Sequence, residues 1–226
     1  MLFNCKNSAQ VRLGLAENPL TIFTVRERLL ASLADESDWM IRESVAGNPS
    51  TPVNILEVLA TDKEGSVRSN VASNDSTSAS VLKFLAADKD EYVRGMVAGN
   101  KSTPADTLTI LVKDKCGLVS EHASQNPSIS QEELETIALD NEPFTQFNIT
   151  KNPTISHALR MQLLVALVTK KKVPWMIKQF IASDVNTPPS ILEILSKDCG
   201  DEFVVRKVAK NPSTPASVLA TLLGEC

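Results

Sequence analysis

The chain has 226 residues, of which 42% are hydrophobic and 22% are charged, a composition that is typical of folded globular proteins and excludes a disordered chain. Its formal net charge of −4 gives no general attraction for nucleic acid or for an anionic membrane, which clustered Lys and Arg normally provide. No segment has the pattern of a signal peptide or a membrane span. The sequence therefore predicts a cytoplasmic protein without a membrane partner.

Near copies of one short stretch, VAGNPSTP at 45–52, recur along the chain at a regular interval. Alignment of the copies on their Asn gives one residue per copy: Asn18, Asn48, Asn74, Asn100, Asn126, Asn152, Asp184 and Asn211. The successive spacings are 30, 26, 26, 26, 26, 32 and 27 residues, so insertions are confined to the first and sixth copies. A fixed period of this size predicts a stacked array. We expect one repeat domain over residues 1–226, with about eight units and an expanded sixth repeat at 153–183.

Each copy has the features of a junction between two short helices. Val67, Val71 and Ala72 place apolar groups on one face of a short α or 3₁₀ helix that ends at the repeat Asn. In five copies a Pro follows the Asn and disfavours the α conformation there. Thr51-Pro52 then predicts the start of a second helix, with Thr as its N-cap and Pro as its first residue. The inner face of this helix is predicted from Ile55, Leu56, Leu59 and Ala60 in one copy and from Val81, Leu82, Leu85 and Ala86 in the next.

Helices of this length are marginal alone in water, so their stability must come from stacking on neighbouring units. The sequence therefore predicts an all-α solenoid of two-helix repeats with a period of about 26 residues. The last unit ends in Leu219, Leu222 and Leu223, without a polar capping repeat after them. An apolar end of this kind could self-associate, which makes a homodimer an expectation to test.

The pattern V-R-x-x-V-A-x-N-P-x-T-P-x-x-x-L-x-x-L-A-x-D, clearest in residues 41–62, resembles the leucine-rich repeat variant family, and the resemblance covers about 11–223. It implies a right-handed superhelix of alternating α and 3₁₀ helices without a β-sheet. One family member carries an iron–sulfur cluster on a cysteine-rich N-terminal segment, but this N-terminus has only Cys5. No such cluster is therefore expected here.

A weaker resemblance to HEAT repeats comes from the pattern D-x-x-x-x-V-R, as in Asp62 and Arg68. HEAT units are usually longer than 26 residues, so the variant family is favoured. Both resemblances imply an α-solenoid.

Two recurring polar positions are expected to build the scaffold rather than to bind a ligand. The repeat Asn lies between two helices, where its side chain can bond free backbone groups of its own turn or of the adjacent repeat. The recurring Arg could form an anion-binding stripe, but its co-occurrence with Asp favours a tie between repeats through the Asp of the preceding loop. The members of this series are Arg12, Arg42, Arg68, Arg94 and Arg206.

The stretch 146–183 departs from the repeat pattern, because it contains six basic residues and no Asp or Glu, together with the longer repeat. An acidic partner or a nucleic-acid phosphate could bind there, with Trp175 as an aromatic anchor. The simpler interpretation is a solvated lysine turn beside a packed Trp. The residues predicted to contact a partner are Arg160, Lys170, Lys171, Lys172, Trp175 and Lys178.

The sequence contains no recognisable catalytic or metal-binding motif: it lacks G-x-S-x-G, P-loop, H-E-x-x-H and C-x-x-C elements. Its cysteines and histidines are scattered, at Cys5, Cys116, Cys199, Cys226, His122 and His157. We therefore expect no catalytic residues, no cofactor and no disulfide framework.

The expected function is a non-enzymatic scaffold that binds a protein or peptide, a step that rests on analogy with other repeat architectures. The alternative is nucleic-acid binding, or a HEAT-like nucleic-acid enzyme, through 146–183. Equivalent positions on the second helix differ chemically, so no uniform binding stripe is predicted from them: Glu57, Lys83, Thr109 and Glu135.

Overall fold

The computed structural model describes residues 8–139, 142–170, 172–197 and 201–224, and in these ranges every regular element is an α-helix. The first helices of the repeats are α1 (Ala9–Glu17), α3 (Trp39–Gly47), α5 (Gly65–Ser73), α7 (Glu91–Gly99), α9 (Gly117–Gln125), α11 (Pro143–Thr150), α13 (Trp175–Ser183) and α15 (Glu202–Lys210). The second helices are α2 (Phe23–Ala34), α4 (Val53–Leu59), α6 (Ala79–Leu85), α8 (Ala105–Leu111), α10 (Gln131–Ala138), α12 (His157–Thr169), α14 (Pro189–Ser196) and α16 (Ala216–Gly224). The predicted all-α solenoid is confirmed, with α rather than 3₁₀ as the first helix of each repeat.

The chain forms two compact units, Met1–Ser130 (unit 1) and Gln131–Cys226 (unit 2). In unit 1 the first helices α3, α5, α7 and α9 pack side by side, and α4, α6 and α8 each contact the first helices before and after them. In unit 2 the first helix α13 contacts both α11 and α15. The single domain over 1–226 stays a prediction. Among the described residues no helix is long and apolar enough to cross a membrane.

The core of each repeat comes from the apolar faces that the periodicity predicts. Val67, Val71 and Ala72 of a first helix are fully buried. In the second helices, the expected inner faces are buried, apart from Ala86 at the end of α6, which is half-buried. Burial of an apolar side chain contributes about 1.5–3 kcal/mol, so helices too short to persist alone are stabilised by their neighbours.

The repeat Asn, or Asp184 in the seventh copy, closes a turn at the end of each first helix through its own side chain. Asn48 is the C-cap of α3, with φ −72° and ψ 122°, and its Oδ1 accepts a hydrogen bond from the Ser50 N–H at 2.9 Å. The equivalent bond recurs in the other seven copies. Asn74 and Asn100 adopt the same extended conformation although no proline follows them. The side-chain turn is therefore sufficient to stop the helix without proline.

The amide group of the repeat Asn joins consecutive repeats. Asn74 Nδ2 donates to the carbonyl oxygens of Ala46 and Asn48, 2.7 and 2.9 Å away in the preceding repeat. The same pair of bonds is made by Asn100, Asn126 and Asn211. We call these contacts the Asn ladder. They satisfy carbonyls that the end of the preceding helix leaves without an intrahelical partner.

Where a Thr stands three residues after the repeat Asn, its side chain bonds the first helix of the repeat rather than the second helix. The expected Thr51 cap is wrong, because the N-cap of α4 is Pro52 and no side chain caps this helix. Thr51 Oγ1 donates instead to the Val45 carbonyl oxygen at 2.5 Å, in the last turn of α3, and the equivalent threonines do the same. The hydroxyl thus satisfies another carbonyl at the helix end.

A buried ion pair spans each regular repeat of unit 1. Arg42 Nε and Nη2 donate to the two carboxylate oxygens of Asp62, at 2.5 and 2.9 Å. Its Nη1 donates to the carbonyl oxygens of Glu36 and Ser37, at 2.8 and 3.0 Å. The same arrangement occurs in the pairs Arg68–Asp88 and Arg94–Asp114, and the paired side chains are only 8–10% exposed. Each Arg therefore connects the loop before its repeat to the loop after it.

The predicted direction of this pairing was wrong. Arg68 pairs with the carboxylate of Asp88, 20 residues later, whereas from the preceding loop it contacts only the backbone carbonyl oxygen of Asp62, at 2.8 Å. Arg206 does not belong to the series, since it lies five residues before the repeat Asn instead of six and is exposed. Where Ser120 and Gln146 replace the Arg, each donates to a carbonyl oxygen eight residues before it.

We predict that Arg68→Ala lowers the free energy of unfolding by about 3 kcal/mol, because the substitution leaves the Asp88 carboxylate buried without its partner. Urea unfolding of the full chain measures this change. Lys83→Ala is the matched control, since the Lys83–Asp106 pair is 62% and 63% exposed and should contribute less than about 1 kcal/mol. Equal losses for the two variants would contradict the buried tie.

We also predict an acid-sensitive contribution to stability. Hydrogen bonding from the Arg42 guanidinium holds the pKa of Asp62 below its ordinary value of about 3.9. A carboxyl group whose folded pKa is lowered stabilises the fold fully above its unfolded pKa, and this stabilisation is lost as pH falls through the folded pKa. Asp62→Asn should therefore be less stable at neutral pH and lose less of its stability between about pH 4 and pH 2 than the parent. If the free energies of unfolding of Asp62→Asn and of the parent, measured in urea, fall by the same amount between these pH values, Asp62 makes no such contribution.

Candidate partner-binding surfaces

Three of the predicted contact residues lie together in the loop between α12 and α13. Lys170 is the C-cap of α12, and Trp175 is the first residue of α13. Lys172 between them is exposed, and Trp175 is 60% exposed. Lys171 lies outside the described residues. The indole is therefore largely open to solvent rather than packed in the core.

Arg160 is separated from this loop, whereas Lys178 lies three residues after Trp175 on α13. Arg160 lies near the start of α12, ten residues before Lys170 and hence about 15 Å from it along the helix axis. Its Nη2 donates to the Asn152 carbonyl oxygen at 3.2 Å. Lys178 is half-buried at the repeat position that Arg42 occupies in unit 1. The structure therefore separates Arg160 from the loop that carries Lys170, Lys172 and Trp175.

The two expanded repeats interrupt the Asn ladder. Their second helices, α2 and α12, have 12 and 13 residues, whereas α4, α6 and α8 have seven. In both, an Arg eight residues after the repeat Asn donates to the carbonyl oxygen of that Asn: Arg26 to Asn18 at 3.0 Å and Arg160 to Asn152 at 3.2 Å. In a regular junction this carbonyl oxygen accepts a hydrogen bond from the Asn amide of the next repeat. In the expanded repeats the Arg takes the place of that amide.

A recess opens at each interruption. The one in unit 1 has a volume of about 670 Å³ and is lined in part by Arg26 and Glu43. The one in unit 2 has about 260 Å³ and is lined in part by Lys151, Arg160 and Asp184. The Nε of each Arg is buried without a hydrogen-bond partner. Because each recess contains both cationic and acidic side chains, neither has the single sign of charge that would select an anion or a cation.

The exposed side of the first helices carries an apolar row that the sequence reasoning missed. The residue eight positions before the repeat Asn is apolar in six of the eight repeats, and these six residues are 40–67% exposed. We call this set the first-helix row: Met40, Tyr92, Leu118, Phe144, Met176 and Phe203. The sequence shows an apolar residue at this fixed distance before the repeat Asn, but it does not show that this side of the first helix is exposed.

The second helices of unit 1 expose a shorter apolar row. It lies ten residues after the repeat Asn and consists of Val58, Phe84 and Ile110. The equivalent residues of unit 2 are Thr136, Gln162, Ile194 and Thr221, of which the three polar ones are exposed and Ile194 is half-buried against the core. Of these two rows, the first-helix row alone is therefore apolar and exposed in repeats of both units.

In unit 2, aromatic and cationic residues border the first-helix row. Phe203, Lys207 and Lys210 of α15 are exposed and lie at i, i+4 and i+7, which places them on one side of the helix. The same repeat positions on α13 are Met176, Phe180 and Ser183, and those on α11 and its C-cap are Phe144, Asn148 and Lys151.

The neighbouring helices α11 and α13 are joined at this surface by an aromatic contact. The rings of Phe147 and Phe180 stack with centroids 6.0 Å apart and planes 20° from parallel. Lys151 Nζ lies 4.5 Å from the centroid of the Phe147 ring. Phe180 remains more than half exposed while Phe147 is buried. The surface therefore combines exposed aromatic area with a cation positioned over a ring.

The last repeat presents the apolar end that the sequence predicted. Leu219, Leu222 and Leu223 of α16 line an open recess of about 490 Å³ with Val205 and Ala209 of α15. Leu223 is 89% exposed. A homodimer through this end stays a prediction.

The described residues hold no group of three or more His, Cys, Asp or Glu side chains that could bind a metal ion. Cys116 is a free, half-buried thiol, while Cys5, Cys199 and Cys226 lie outside the described part of the chain.

No protein-family model and no curated protein matches this sequence, but solved structures are similar to it. A structure described as a leucine-rich repeat variant with a novel repetitive structural motif is 20% identical; the match covers 91% of this chain and 82% of that chain, with a TM-score of 0.56. YibA of E. coli is 17% identical over 91% of this chain and 93% of its own, with a TM-score of 0.45. An engineered protein is 17% identical over 96% of this chain and 76% of its own, with a TM-score of 0.35.

The resemblance carried by the repeated N-P-x-T-P element is confirmed at the level of the fold. The HEAT-like resemblance stays a prediction. The chain is an α-solenoid with the fold of the leucine-rich repeat variant.

Proposed function

We propose that this chain is a non-enzymatic scaffold that binds a peptide or an extended protein segment along the first-helix row within a unit. The observation that carries the proposal is the recurrence of an exposed apolar residue at one repeat position in six of eight repeats. Single exposed apolar residues are normal on any protein surface. Recurrence at one position of adjacent helices is different, because within each unit it places the residues in a line.

The spacing of the row suits an extended chain. Packed helices lie about 8–10 Å apart, so row residues on adjacent first helices are separated by about that distance. An extended peptide in the polyproline II conformation advances about 3.1 Å per residue and presents every third side chain on the same side, so roughly every third residue would meet a row side chain. In unit 1, Tyr92 and Leu118 lie on adjacent helices α7 and α9, which pack against each other.

The absence of enzymatic activity is part of this proposal, and the use of the repeated polar groups supports it. The Asn amides bond backbone carbonyls, the Thr hydroxyls do the same, and the buried arginines pair with aspartates. These groups are therefore engaged in holding repeats together. Partner specificity would then come from the exposed residues that vary between repeats.

A peptide selection tests the proposal. We expect that displayed random peptides selected on the full chain include binders, and that the double variant Tyr92→Ser, Leu118→Ser weakens the best of them at least about tenfold, because burial of one apolar side chain is worth more than 1.4 kcal/mol. Fluorescence anisotropy measures the affinity, and circular dichroism verifies that the variant is folded.

The matched control is Val58→Ser with Ile110→Ser, which changes two exposed apolar residues of the second helices instead. This variant should bind the selected peptides within about twofold of the parent. If the selection yields no binders, or if the control loses binding as strongly as the Tyr92 and Leu118 variant, the first-helix row is not the binding surface.

A further inference from the structure

We infer that the first-helix side of unit 2, formed by α11, α13 and α15, binds acidic peptides that also carry apolar side chains. The inference rests on the proposed function and adds the chemistry of the partner. It uses two parallel features of this surface, an apolar line and a cationic line.

The apolar line is formed by the unit 2 members of the first-helix row, Phe144, Met176 and Phe203, with Phe180 beside them. Two of the three row positions are aromatic, and Phe180 adds a third exposed ring that stacks on the buried Phe147. Aromatic side chains supply large contact areas with little loss of conformational entropy and are enriched at the centres of interfaces. This line would hold the apolar side chains of the peptide.

The cationic line lies toward the C-terminal ends of the same helices. Lys207 and Lys210 are exposed in the last turn of α15, and Lys151 is the exposed C-cap of α11. Seven residues separate Phe203 from Lys210, so the two lines are about 10 Å apart. A peptide that crosses the three helices would therefore place apolar side chains on one edge and carboxylates on the other.

The carboxylates of this surface lie outside the cationic line. Glu142 and Asp201 are the N-caps of α11 and α15, Glu202 is the first residue of α15, and the exposed Asp184 follows α13, so none of the positions in line with Lys207 or Lys210 is acidic. The first helices α3 to α9 of unit 1 differ, because their exposed or half-buried charged side chains are acidic: Glu43, Glu91 and Glu121. The preference for an acidic partner is thus specific to unit 2.

A peptide fits this surface better than nucleic acid does. Residues 131–226 contain ten Lys and Arg against eleven Asp and Glu, so unit 2 lacks the overall positive charge that draws a phosphate backbone. A few lysines beside an apolar line can instead pair with individual carboxylates of a bound chain and set its orientation.

Fluorescence anisotropy with labelled peptides tests the inference on the full chain. The probes are a peptide of repeating Glu-Leu-Asp-Phe, a counterpart with Lys in place of Glu and Asp, a neutral counterpart with Gln and Asn, and an oligo-dT strand. We expect the acidic peptide to bind at least about tenfold more tightly than the neutral one and more tightly than oligo-dT. Added salt should reduce this difference.

The variant Lys207→Glu, Lys210→Glu should weaken the acidic peptide at least about tenfold and leave the neutral peptide within about twofold. Lys89→Glu with Lys115→Glu is the control, since it makes the same change in net charge at exposed loop positions of unit 1 and should change neither. Lys207→Gln with Lys210→Gln, verified as folded by circular dichroism, should give an intermediate loss for the acidic peptide.

Equal binding of the acidic and basic peptides, tighter binding of oligo-dT, or equal losses in the Lys207–Lys210 and Lys89–Lys115 variants would overturn the inference. These outcomes leave the proposed function intact as long as selected peptides still depend on Tyr92 and Leu118. Loss of that dependence would contradict the proposed function itself, whatever the charge preference.

Discussion

The amide group of the repeat Asn is the contact on which the arrangement of the repeats depends. Its oxygen closes the turn that stops one helix, and its two N–H bonds reach carbonyls of the preceding repeat, as Asn100 does at 2.7 and 3.2 Å. One side chain therefore fixes both where the helix ends and how its repeat sits against the preceding one. The two long insertions, in the lengthened α2 and α12, fall where the ladder is interrupted, whereas the single extra residue between Asp184 and Asn211 leaves both bonds of Asn211 in place.

The same regularity shapes the exposed surface. If the first helices of a unit are held in one register, the residue eight positions before the Asn must face the same way in each repeat of that unit, so an apolar residue there contributes to the first-helix row. The repeated polar side chains are meanwhile engaged in contacts with backbone or with each other. The repeats therefore differ from one another mainly at exposed positions. In unit 2 these positions include Lys207 and Lys210, which lie beside Phe203.

Sequence alone was enough for the features that local chemistry determines. The period, the helix stop at Asn48 and the apolar faces of α4 and α6 follow from side chains acting on their own turns. The partner of Arg68 could not be predicted in this way. Asp62, six residues before it, and Asp88, 20 residues after it, are equally plausible partners until the positions of the loops are known. The division of the predicted basic site was missed for the same reason, since the position of Arg160 on α12 separates it from Lys170. Exposure of the first-helix row could be recognised only after its helix face was known.

The most direct test of this account is the urea unfolding of Asn100→Asp. The carboxylate keeps the acceptor for the Ser102 N–H but loses both donors to Ala72 and Asn74, so the free energy of unfolding should fall by at least about 2 kcal/mol. Asp184→Asn is the control at a junction where Arg160 already bonds the Asn152 carbonyl, and it should change stability by less than about 0.5 kcal/mol. If Asn100→Asp unfolds with the free energy of the parent, the Asn ladder is not the contact that holds the repeats together.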